Sequence, residues 1–307
     1  MKKLVTMLFL LIILYVVLNY KGQIIDFITV NFIDKDTYVL PEGNTYYKEY
    51  DYGFIQNTDN LYPSNKQDIL NIIYSALNRG VDEFSFFCAD GYNNCIDDVN
   101  AVADDKDTLS AINNFVHPYN SFRNISFSIN KYGKVSIRFN KIYSESEILL
   151  INKRIDEISS SLFYPNISNY DKIRLFHDYL VNNTVYDDSV NIDNQSVIDT
   201  NSNTALGLLF DGKAVCSGYS DTMAIFLSRQ GFNNYKISSE MHIWNLIYLD
   251  NSWKHIDVTW DDPVTSNGQN ILIYDFFMID TVALLNKENN LHKNEHNFDR
   301  NYYIEAN

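Results

Sequence analysis

Two alternating runs set back to back around Asp250-Asn251 constrain this chain more than anything else in it. Residues 242–249 (His-Ile-Trp-Asn-Leu-Ile-Tyr-Leu) and 252–259 (Ser-Trp-Lys-His-Ile-Asp-Val-Thr) each alternate with a period of two. That is the period at which successive side chains of a strand change face. Asp and Asn tolerate the turn conformations that join two such strands. A two-residue loop pairs 249 with 252 and carries the register outward. His242 then faces Thr259, Trp244 faces Asp257, and all four side chains share one face. His242 and Asp257 become diagonal neighbours, with α-carbons roughly 7–8 Å apart, so imidazole and carboxylate can meet.

Upstream lies a second constraint. From Cys216 the chain reads as a helix, with Tyr219, Met223, Phe226 and Leu227 in one buried stripe and Gly231 as its stop. Ser217 is expected in the N-cap region. A thiol at a helix N-terminus lies against amide hydrogens and the positive end of the dipole, which favour thiolate. The same amides suit an oxyanion. A free Cys taken alone is more often a packing residue. The hairpin changes that, because nucleophile, base and orienting carboxylate are the three parts of a Cys–His–Asp site. Cys216, His242 and Asp257 are therefore the candidate catalytic residues. His255 precedes Asp257 by two on the same face and competes with His242 as the base, but it sits nearer the turn.

Three segments carry a resemblance to the transglutaminase-like superfamily of bacterial proteins: Gly212-Lys-Ala-Val-Cys-Ser-Gly-Tyr219, His242-Ile-Trp-Asn245 and Trp253-Lys-His-Ile-Asp-Val-Thr-Trp-Asp-Asp-Pro263. Asp171-Lys-Ile-Arg-Leu-Phe-His-Asp-Tyr-Leu180 with Tyr186-Asp187, and Tyr274-Asp-Phe-Phe-Met278, resemble it as well. The likeness spans roughly residues 145–300 and matches the family pattern at Cys216, His242 and Asp257. It implies an α+β, papain-like core, with a helix carrying Cys on an antiparallel sheet carrying His and Asp. It also implies acyl transfer from a protein Gln or peptide through a thioester at Cys216, without a cofactor. A cysteine peptidase or amidase on the same fold, a catalytically silent cell-surface module and a structural wall protein are the alternatives.

Composition bounds the partners. Of the 307 residues, 46% are apolar and 21% charged, which suits a globular body. Net charge is −15 with no basic run, which argues against nucleic acid, whose binding rests on Lys and Arg neutralising phosphates. Met1-Lys2-Lys3 precedes a mostly apolar run from Leu4 to Leu18, the pattern of an export signal. No small-residue cleavage site follows in Asn19-Tyr20-Lys21-Gly22, so an uncleaved anchor is expected, with the body outside the cell. Outside, Cys88 and Cys95 can close a small disulfide, leaving Cys216 as the odd thiol. The expected partners are a protein or peptide substrate, such as one of the cell wall, and the membrane.

Four zones follow: the anchor or signal at 1–20, a turn-rich lead-in at 21–65, a smaller α+β domain at 66–142 and the catalytic domain at 145–307. In the third, Ile69, Leu70, Ile73 and Leu77 predict a helix ending at Gly80, residues 81–87 a strand, 109–116 a short helix, and 124–129 with 135–140 a hairpin. Helices are predicted over 145–162 and 168–181. His117 and His177 read as satisfied structural histidines. His292 and His296, spaced i,i+4 with Glu295 between, could face one metal on a helix, but they lack the His-Glu-x-x-His order, so no metal is assigned. Trp244, Trp253 and Trp260 are core residues or a substrate wall, and Tyr219 is core or an oxyanion donor.

Overall fold

A computed structural model describes residues 12–21, 24, 39–88, 91–131, 133–190, 200–263, 271–291 and 294–307. The architecture mixes helices with antiparallel sheet. Helix α1 (Lys66–Asn78) starts where the Asn65 side chain accepts from the Asp68 amide, and buries the expected Ile69, Leu70, Ile73 and Leu77. It stops at Gly80, whose φ of +80° a residue with a side chain rarely adopts. Strands β1 (Glu83–Phe87), β2 (Phe122–Ile129) and β3 (Lys134–Lys141) form a sheet in the order β1-β3-β2. The segment about Cys95 opens a helix, α2 (Cys95–Asp104), and α3 (Lys106–Phe115) follows. Asp97 and Asp98 in the first turn of α2 favour that start.

The second half begins with α4 (Glu145–Leu162), entered through a reciprocal capping box of Ser144 and Glu147. Helix α5 (Asn169–Asn183) is capped by Ser168. Strands β4 (Val185–Tyr186) and β5 (Lys213–Ala214) pair in parallel and lead into α6 (Cys216–Arg229). A four-stranded antiparallel sheet then runs in sequence order: β6 (Asn234–Ser238), β7 (Ile243–Leu249), β8 (Ser252–Ile256) and β9 (Phe277–Ile279). Leu249 pairs with Ser252 and Leu246 with His255, the register the alternation predicts. Asp250 and Asn251 both take positive φ, 49° and 62°, the conformation of a type I′ turn. Helix α7 (Thr281–Leu291) and a C-terminal tail close the fold.

Both faces of this sheet are covered. Ile247, Ile256 and Val258 join Ile151, Ile155, Phe176, Leu180, Met223 and Phe226 from α4, α5 and α6. Phe176 and Phe226 stack with centroids 3.8 Å apart. On the other side Tyr235, Ile237, Trp244 and Leu246 belong to one buried cluster with Ile69, Ile73, Phe86, Ile112, Phe115 and Val135. The 66–142 zone and the sheet thus share a core.

Cys88 and Cys95 are joined by a disulfide, with Cα atoms 5.6 Å apart. Residues 12–21 are helical and exposed, and no helix among the described residues is long and apolar enough to cross a membrane. Residues 1–11, most of the expected anchor, lie outside the described residues, as does His292.

Candidate active site

Cys216 is the first residue of α6 and is 8% exposed. The N-cap is Val215 in extended conformation, and no side chain caps the helix. Ser217, expected to serve there, instead donates its hydroxyl to Asn203 Oδ1 at 3.2 Å. The amides of Gly218 and Tyr219 both reach Val215 O, at 2.9 and 3.2 Å. The Cys216 amide, at the first helical position, has no intrahelical acceptor. Gly218 is needed for the fit beneath it. A Cβ there would lie 2.5 Å from Ser202 O and 3.0 Å from Thr204 O.

Helix and hairpin are bolted together close to the site. Asn245 on β7 donates to Ser220 O on α6 at 2.9 Å. Lys236 on β6 pairs with the buried Asp221 at 2.6 Å, and Asp221 also accepts from Tyr143 at 2.7 Å. These bonds fix Cys216 relative to His242, which stands one residue before β7.

His242 Nε2 donates to Asp257 Oδ2 at 2.6 Å, with both residues buried. Its other nitrogen, Nδ1, is not engaged by Asp257, and the Cys216 sulfur acts electrostatically on the ring. Burial alone would lower the imidazole. The Asp257 carboxylate and the Cys216 sulfur outweigh it and raise His242 to about 10. Burial pushes Asp257 up, but His242 and His296 outweigh that and hold its carboxyl well below the usual carboxylate range. The oxygen Oδ1 accepts the amides of Thr259 and Trp260, at 3.0 and 3.2 Å.

One participant escapes the sequence reading. His296 Nε2 donates to the same Asp257 Oδ2 at 2.7 Å, while its Nδ1 faces Glu288 Oε1 at 2.8 Å. The His296 amide also reaches Glu288 Oε2, at 3.1 Å. The carboxylate that orients His242 is therefore held by a second histidine, itself held by a buried glutamate. The i,i+4 spacing to His292 would bring two rings together only on a helix, whereas His296 stands in the tail beyond α7 (Thr281–Leu291). No periodicity marks Glu288 as its partner.

His242, Asp257 and His296 offer ligand atoms within 4.8 Å of one another, a spacing that could admit a metal ion. The 2.6 and 2.7 Å contacts on Asp257 are hydrogen-bond lengths, shorter than the edges of a tetrahedral shell with bonds of about 2.0–2.1 Å. The residues thus fit a proton-linked chain better than a metal shell.

His255, the rival base, is excluded by its partners. Its Nδ1 accepts from Trp244 Nε1 at 3.0 Å, so Nε2 carries the proton to Thr281 Oγ1 at 2.9 Å. Burial, and then the nearby His296, lowers it to about 3. Trp244, 1% exposed, is core rather than substrate wall. Trp253 packs against Tyr235 and Tyr248, away from the triad, whereas the half-buried Trp260 lies edge-on to His242 at 6.4 Å. Tyr219 donates to Asp262 instead of facing an oxyanion. His177 bridges Asp178 and Asp261, at 3.2 and 3.1 Å, as a satisfied buried histidine.

No protein-family model matches the sequence, and no curated protein matches it. Among solved structures the chain is similar to one described as a TGase, 19% identical with a TM-score of 0.34, over 48% of this chain and 46% of that one. It is also similar to a proposed cysteine protease from Cytophaga hutchinsonii, 13% identical with a TM-score of 0.29, over 47% of this chain and 64% of that one. The matched part is thus under two thirds of either relative's length. Neither likeness bears on the chemistry, which rests on the side chains themselves.

Proposed function

We propose that this protein is a cysteine-nucleophile acyltransferase of the transglutaminase-like kind, with Cys216 as nucleophile, His242 as base and Asp257 as orienting carboxylate. The observation that carries the reading is the buried His242 ring, held at 2.6 Å by Asp257 and acted on electrostatically by the sulfur of Cys216 at the start of α6.

The chemistry runs through that ring. His242, charged near neutral pH, already holds at Nδ1 the proton given up by the thiol, and the sulfur attacks the carbonyl of a Gln side chain or peptide bond. The carbonyl oxygen becomes an oxyanion, which the uncapped Cys216 amide is placed to receive. Collapse breaks the C–N bond, and His242 returns its proton to the departing ammonia or amine. The thioester on Cys216 is then resolved by an amine, giving a new amide, or by water, giving acid. Asp257 stays ionised throughout and stabilises the imidazolium. The exposed lysine amines that serve as acceptors are almost wholly protonated near neutral pH. Transfer to them therefore needs a site that holds water back. The low exposure of Cys216 and His242 and the edge of Trp260 favour that.

The Met1–Leu18 run and the Cys88–Cys95 disulfide support a protein that works outside the cell, on protein or wall peptides. Intact-mass measurement after incubation with glutamine peptides and with cell-wall peptides, with and without a primary amine, tests the activity. A thioester on Cys216, absent in Cys216→Ala, and amide product at saturating amine are expected. Dominant acid product makes the protein a hydrolase. No acyl-enzyme with any donor makes it a silent module.

A further inference from the structure

A cavity of about 670 Å³ lies between the lead-in segment and the end of α6, lined by Tyr46, Tyr50, Lys48, His117 and Arg229 among others. Neither Cys216 nor His242 lines it. Its volume falls within the usual range for small-molecule sites. In a chain of net charge −15, it is lined by two cations, Lys48 and Arg229, and these together with Lys236, which is outside the lining, act electrostatically on His117. Two of them are neutralised already, Lys236 by Asp221 at 2.6 Å and Arg229 by Asp156 at 2.5 Å.

Lys48 is different. Its ammonium donates to two carbonyls, Phe115 O at 3.2 Å and Asn234 O at 2.6 Å, and forms no ion pair with any carboxylate among the described residues. An ammonium has three donors, so one remains. Burial, then the charge of Lys236, pushes Lys48 down to about 7, as befits a cation lacking a counter-ion. His117 is 4% exposed, and its Nδ1 accepts the Tyr119 amide at 3.1 Å. The ring is held neutral by burial and the surrounding cations, so the proton sits on Nε2. Tyr46 stacks on the His117 ring with centroids 4.9 Å apart, supplying an aromatic wall. The one carboxylate on the lining, Glu49, is exposed.

We infer that this cavity is a second binding site, for a small organic carboxylate seated on Lys48 and His117 with its body against the tyrosines. One ammonium donor and one imidazole N–H match the two oxygens of a carboxylate. A phosphate needs more donors, and the Arg229 guanidinium is already held by Asp156 and Asn152. The body of the ligand is planar or a saccharide, since either lies flat on phenol rings.

Binding of sodium benzoate, sodium glucuronate and sodium acetate to the full chain, with sodium phosphate and chloride as controls, tests this by calorimetry. Benzoate or glucuronate should bind, and whichever binds more tightly identifies the body. Lys48→Met, which keeps the apolar stem, and His117→Gln should each weaken binding about tenfold or more, the value of a charge-assisted or buried hydrogen bond. Lys48→Met also loses two carbonyl contacts. The His117 Hε1 proton resonance of the unsubstituted protein therefore gives an independent signal, which should move with benzoate or glucuronate. No heat and no movement with any carboxylate would overturn the assignment. So would equal affinity for phosphate, or unweakened binding in a folded Lys48→Met.

Discussion

One face of one hairpin carries two buried histidines that behave in opposite ways. His242 lies at the open end, within 2.6 Å of Asp257, and is raised to about 10. His255 lies further towards the turn, accepts from an indole, donates to a hydroxyl and is lowered to about 3. Burial alone would neutralise both rings. What separates them is the partner: an ionised carboxylate and a sulfur on one, neutral groups on the other. The same strand pair thus holds a charged imidazole near the Cys216 sulfur at one end and a packing bracket at the other.

The comparison breaks most readily on rate. His242→Gln should slow acylation and iodoacetamide alkylation of Cys216 by roughly 10²–10⁴-fold, the usual contribution of a general base. His255→Gln should leave both rates within a few-fold. A large loss in the second variant, with the fold intact by circular dichroism, would reverse the assignment of the base.

Stability against pH comes next, and the signs are opposite. The folded value of His242 lies above the unfolded value of about 6.5. Its stabilisation is therefore fully present below about pH 6.5 and is lost as pH rises through about 10. The folded value of His255 lies below it, so its stabilisation is present above about pH 6.5 and is lost as pH falls towards 3. Each effect is on the order of a few kcal/mol. Urea unfolding from pH 4 to 10 should show His242→Gln flattening the alkaline slope and His255→Gln flattening the acid slope. Identical slopes in both variants would show that the two environments do not differ as described.

A smaller effect sharpens the role of the tail. His296→Ala leaves Asp257 and Glu288 without their shared donor and should slow Cys216 alkylation by about 10- to 100-fold, through a misplaced His242 ring. Gln at 296 keeps one donor towards Asp257 and should restore part of that rate. Equal rates for the two variants would mean that His296 acts on stability alone. Smallest is Thr281→Val, which removes the hydroxyl linking His255 to Ala306 O. It should cost about 1 kcal/mol and leave the chemistry at Cys216 unchanged.

The local pieces were legible because they are short-range. Alternation and an Asp-Asn turn fix the register of 242–259, and with it the approach of His242 to Asp257. Ser144 with Glu147, and Ser168, mark two helix starts where the structure has them. The start of the Cys95 helix is not legible in the same way, because Asn94 before it makes no side-chain cap. Ser217 was misjudged because a hydroxyl one residue inside the helix looks like a cap in sequence, yet its bond goes to Asn203.

By itself, the sequence determined where a nucleophile, a base and a carboxylate could meet, since strand parity and a helix start are properties of neighbouring residues. Only the tertiary structure decided which histidine is which. His296 reaches Asp257 across 39 positions, Glu288 fills the other side of its ring, and Trp244 occupies the ring of His255. Such contacts follow from how α7 and the tail pack on the sheet, and no local period encodes them. The charge of a buried imidazole depends on its partners, so it is settled only when the fold brings those partners together.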